Sequence, residues 1–87
     1  MNKPDKFIED MKRARGIDFA RIGMMVEVDG DLGTIIGMNS SANLDVVFAN
    51  QLKYGKQAYN CHPTHQIRYF DAKGRVIADY TSGRAAL

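Results

Sequence analysis

Cys61, His62 and His65 form the one cluster of metal-ligand or nucleophile types in this chain of 87 residues. Zinc is held tetrahedrally by Cys and His, commonly by four protein ligands. Here there are at most three, and the adjacent Cys61 and His62 would face opposite sides of a strand. A complete site would need ligands from a second chain. A nucleophilic Cys61 would need a base held in place by a third group. His62, His65 and Asn60 have suitable side chains, but no cysteine-enzyme signature surrounds them. The plainer reading makes Cys61 a small core group and places the histidines beside a turn set by Pro63. No catalytic residue, metal or cofactor is expected.

Two further patterns invite chemistry. Asp29 and Asp31 are close acids, but they lack the additional oxygen ligands of a calcium loop, which favours a solvated turn. Gly30, Gly33 and Gly37 are not followed by the Lys-Ser/Thr pair and helix of a phosphate loop. The sharper signal is the interleaving of basic and aromatic residues: Lys53, Tyr54, Lys56, Tyr59, Arg68, Tyr69, Phe70, Lys73 and Arg75. Bases of single-stranded nucleic acid stack on aromatic rings beside a basic groove. Tyrosines are equally at home in protein interfaces. Lys53, Tyr54, Lys56, Tyr59, Arg68 and Tyr69 are the candidate partner or nucleic-acid binding residues.

Charge is unevenly distributed. Residues 23–50 carry Glu27, Asp29, Asp31 and Asp45 with no Lys or Arg, whereas residues 51–87 carry Lys53, Lys56, Arg68, Lys73, Arg75 and Arg84 against Asp71 and Asp79. An acidic side and a basic side are therefore expected. The overall balance is only +2, with an isoelectric point near 8.8. That permits nucleic-acid binding without requiring it. A composition of 45% hydrophobic and 25% charged residues belongs to an ordered globular chain rather than a disordered one. One cysteine excludes an internal disulfide and suits a reducing compartment. No apolar run approaches the ~20 residues of a membrane span, so a cytoplasmic protein with no membrane partner is expected.

The elements that must position these residues can be read from periodicity. Residues 1–16 predict a helical arm: Phe7, Ile8, Met11 and Ala14 form one apolar stripe, Pro4 suits the first turn, and Gly16 suits the end. Early acids and late bases complement its dipole. The stripe either covers the domain's own open end or serves as a binding or oligomerising arm. Residues 17–22 read as a linker or a helical turn. Val26, Val28, Ile35, Leu44, Val46 and Phe48 then alternate with period two, which predicts three strands. Asp29-Gly30 is a two-residue hairpin signal, since both positions need positive φ. Gly33 and Gly37 suggest bending or close backbone approach. Residues 50–57 read as an exposed loop and 59–62 as a fourth strand. The segments 68–70 and 76–80 make two strands around a turn at 71–74. Residues 81–87 form a tail.

Five or six short antiparallel strands of this kind predict a small antiparallel barrel over residues 23–80. The segment Gly23-Met24-Met25-Val26-Glu27-Val28-Asp29-Gly30-Asp31-Leu32-Gly33-Thr34-Ile35 resembles the opening hairpin of Src-homology-3-like barrels, and in particular the KOW motif. That motif usually surrounds its turn with basic residues, where this chain has Asp29 and Asp31. The size of the chain and the stretch 61–80 are also similar to small uncharacterised proteins of tailed phages and prophages, which implies a virion- or prophage-associated role. The expectation is a non-enzymatic binding or assembly module without a small-molecule substrate. Protein partners or self-association are the first reading, and a nucleic-acid-binding barrel is the alternative.

Overall fold

The structure, a computed structural model, describes residues 3–81. The expected tail falls outside the described residues apart from Thr81. The chain forms α1 (Lys3–Arg15), β1 (Met25–Val28), β2 (Asp31–Met38), β3 (Leu44–Phe48), α2 (Gln51–Tyr54), β4 (Ala58–Cys61), β5 (Ile67–Phe70) and β6 (Val76–Asp79). All strands pair antiparallel in one six-stranded sheet of order β4-β3-β2-β1-β5-β6.

Local chemistry accounts for the hairpins. Asp29 and Gly30 both have positive φ, 51° and 87°, and Val28 pairs directly with Asp31. This is the two-residue turn whose twist matches the flanking strands. Gly33 is buried beneath β3, and a Cβ there would lie 2.6 Å from Val46 Cγ1. The register of β2 against β3 then shifts by one residue between Ile35 and Gly37, which bends the strand.

The sheet does not close on itself. β5 returns to β1 and β6 continues outward from it, so β4 and β6 remain edges. Closure is replaced by cover. Phe7 and Met11 of α1 pack in one core with Ile17, Ala20, Val26, Ile35, Leu44, Val46, Phe48, Cys61, Ile67 and Tyr69. Burying Met11 completely contributes on the order of 1.5–3 kcal/mol. The helix is therefore part of the domain rather than a free arm. Its last turn is tied down by Arg15, which donates to Ala42 O at 3.0 Å, to Ser41 O at 3.2 Å and to Asn43 Oδ1 at 2.7 Å. Residues 17–22 are not a linker either, because Ile17 and Ala20 are core residues.

Candidate functional site

Four of the six expected binding residues come together around α2. Asn50 starts this single turn: its side-chain oxygen accepts from Lys53 N at 3.2 Å. Gly55, with φ 74°, ends it by donating its N–H to Gln51 O at 2.8 Å. The turn seats the Tyr54 ring on Phe48, stacked at 4.2 Å between centroids. Tyr59 meets both rings edge-on, and its hydroxyl donates to Tyr54 O at 2.9 Å. The Tyr54 hydroxyl donates to the Asp31 carboxylate, and Lys53 Nζ lies 3.0 Å from the same carboxylate oxygen. These two donors, the hydroxyl first, hold the Asp31 carboxyl below its ordinary range; the same hydrogen bond raises the Tyr54 phenol. Lys56 is exposed, and Leu52 projects fully into solvent.

The other two expected residues lie elsewhere. Arg68 sits on the outer face of β5, 3.0 Å from Glu27 of β1 and 3.2 Å from Asp79 of β6. Tyr69 is a correction. Strand alternation turns it inward from Arg68, and it is completely buried, so it cannot touch a partner. Its hydroxyl donates to Pro63 O at 2.6 Å, and burial pushes the phenol far above the usual tyrosine range. The expected acidic and basic sides do not separate. Lys53 pairs with Asp31 and Arg68 with Glu27, so the two oppositely charged stretches interlock.

The Cys61, His62 and His65 segment does not converge on a centre. Among the described residues no group of three or more His, Cys, Asp or Glu is placed to hold a metal ion. Cys61 faces the core, and burial, aided by Asp29 and Asp45, raises its thiol to about 11. His62 points outward, where its Nδ1 accepts from Thr64 N at 3.1 Å.

A second surface was not anticipated from the sequence. A groove of about 800 Å³ opens at the start of β1, with Phe19, Met24, Met25, Phe70 and Ile77 as its apolar walls. Arg21 and Asp71 stand at its polar margin. Met25 and Ile77 remain 37% and 45% exposed, and Val76 beside them is 50% exposed. Phe19 and Met24 come from the segment read as a linker and the strand entrance, and Phe70 and Ile77 from the β5–β6 hairpin. The outward position of Met25 was readable from alternation; its meeting with Phe70 depends on β5 pairing with β1. Across the same outer face, Leu32, Glu27, Arg68 and Asp79 form a neighbouring cross-strand row. The apolar groove thus ends against a self-neutralised charged row.

No family model, curated protein or solved structure matches this chain. No helix among the described residues is long and apolar enough to cross a membrane.

Proposed function

We propose that the chain is a non-enzymatic protein-binding module on a Src-homology-3-like, incompletely closed barrel. The strand order supports the barrel reading: β1 to β4 form a meander, β5 returns to β1, and the inner faces of both wings share one core. The observation that carries the binding reading is the groove of Phe19, Met24, Met25, Phe70 and Ile77. Exposed, contiguous apolar surface of this kind marks interaction sites in small soluble domains. The nucleic-acid reading loses its best residues: Tyr69 is buried, and Lys53 and Arg68 are each engaged by a carboxylate. The high-lying, buried Cys61 thiol supports the absence of cysteine chemistry.

The test is selection of a displayed random peptide library on the wild type, with Met25→Asp as counter-target. Enrichment of apolar peptides that bind the wild type and not the variant is expected. Failure to enrich any groove-dependent peptide overturns the reading. So does salt-sensitive, micromolar binding of labelled DNA or RNA that is unaffected by Met25→Asp and lost on Lys56→Glu.

A further inference from the structure

Met24 and Met25, adjacent in the chain, both line the groove, but they differ in exposure. Met25 points outward from β1, opposite Thr34, and is 37% exposed, whereas Met24 is half-buried against the core. Of the other described methionines, Met38 is half-buried and lies outside the groove, and Met11 is completely buried. Oxidation of a thioether follows its access to solvent. Exposure therefore ranks the four, with Met25 first and Met11 last. The remaining apolar walls, Phe19, Phe70 and Ile77, carry no sulfur, and Cys61 is buried. The groove's sensitivity to peroxide resides in its methionines.

The consequence of oxidation depends on where the sulfur sits. A sulfoxide is polar where the thioether was apolar. At Met11 that change would place an unpaired polar group in the core, at the expense of the fold. At Met25 it falls on the outer face of β1, where Val26, the next residue, supplies the core contact instead. Met25 joins the sheet through its backbone, opposite Thr34, and that pairing does not involve its side chain. Oxidation of Met25 thus makes one wall of the groove polar and leaves the domain folded.

We propose that the groove is a redox-sensitive site, weakened towards an apolar partner when Met25 becomes the sulfoxide and restored when the thioether returns. This rests on the groove being a protein-binding site and names its regulation. In the forward step the Met25 sulfur attacks one oxygen of hydrogen peroxide. The S–O bond forms as the O–O bond breaks, the sulfur loses two electrons, and the other oxygen leaves as water. In the return step a methionine sulfoxide reductase supplied with a dithiol removes the oxygen as water, leaving the thioether and a disulfide. Each sulfoxide epimer has its own reductase, so full reversal requires both enzymes.

The experiment treats the full chain with graded hydrogen peroxide, locates the sulfoxides by peptide mapping, and measures binding of a groove-dependent peptide from the library selection. Sulfoxide is expected at Met25 before Met24 and Met38, and last at Met11, with circular dichroism unchanged while Met25 alone is modified. At that stage affinity for the peptide is expected to fall about tenfold or more, and to return after treatment with both reductases. Met25→Leu is compared only with itself: whatever its starting affinity, the same peroxide dose is expected to leave it where it was. Complete oxidation of Met25 without loss of affinity, unfolding before affinity falls, or an equal fall in Met25→Leu would each overturn the inference and leave the groove reading standing. If the untreated wild type enriches no groove-dependent peptide, the groove reading itself fails and its regulation fails with it.

Discussion

The Tyr69 hydroxyl donates to the Pro63 carbonyl at 2.6 Å inside the core, joining β5 to the turn that precedes it. A tyrosine read as surface aromatic is thus a structural hydrogen-bond donor. Tyr69→Phe keeps the ring but leaves the carbonyl unpaired, and is expected to cost about 1–3 kcal/mol. Tyr69→Ala removes the ring as well and is expected to cost about 3–5 kcal/mol or to unfold the domain. Urea unfolding of both variants checks the order.

Arg15, in contrast, makes a long-range tie. Its contacts with residues 41–43 hold the end of α1 against the β2–β3 turn. Arg15→Ala is expected to cost about 1–2 kcal/mol, since charge-assisted hydrogen bonds on a half-buried group are lost. Hydrogen exchange should quicken in α1 before it quickens in β3. Equal protection in wild type and variant would show that Phe7 and Met11 suffice to hold the helix.

Acid should loosen the α2 turn. The folded-state pKa of Asp31 lies below its ordinary 3.8, because the Tyr54 hydroxyl and the Lys53 ammonium favour the carboxylate. A depressed folded pKa gives stability that is complete above the unfolded value and is lost as pH falls through the folded one. Unfolding midpoints should therefore drop below about pH 4. Asp31→Asn should flatten part of that drop. Asp10 and Asp79 are shifted in the same direction, so some acid sensitivity remains in the variant.

The buried Cys61 should be chemically quiet. With its thiol raised to about 11, little thiolate forms at pH 8, and the side chain is shielded by the core. Labelling by a disulfide reagent at pH 8 should be limited by opening of the domain and accelerate with urea. Rapid labelling of the native protein would contradict the packing of β4.

How much of this was legible depended on the distance between the partners. The Asp29-Gly30 turn, the three strands around it, the close backbone approach at Gly33 and the irregularity beside Gly37 follow from residues adjacent in sequence, and all are present. The single turn at 51–54 was missed because four residues show no helical period. Tyr69 was misplaced because basic and aromatic neighbours suggest a surface, while strand alternation decides the side; Arg68 took the outer position. The pairs Lys53–Asp31 and Arg68–Glu27, and the meeting of Met25 with Phe70 and Ile77, arise from β5 joining β1 and from α2 folding back over β2. No local pattern encodes those distances.

The return of β5 to β1 also governs the order of assembly. The β1–β4 meander joins strands that are neighbours in the chain, so each hairpin closes a short loop at small entropic cost. Val26 waits much longer for Tyr69, whose pairing spans the whole meander. During synthesis, one edge of β1 stands bare until the last third of the chain has emerged, a window in which it can pair with the wrong strand. Mutational analysis of folding rates should then find Ile35 and Val46 structured in the transition state and Ile67 still free; the reverse pattern would mean that the long closure nucleates folding.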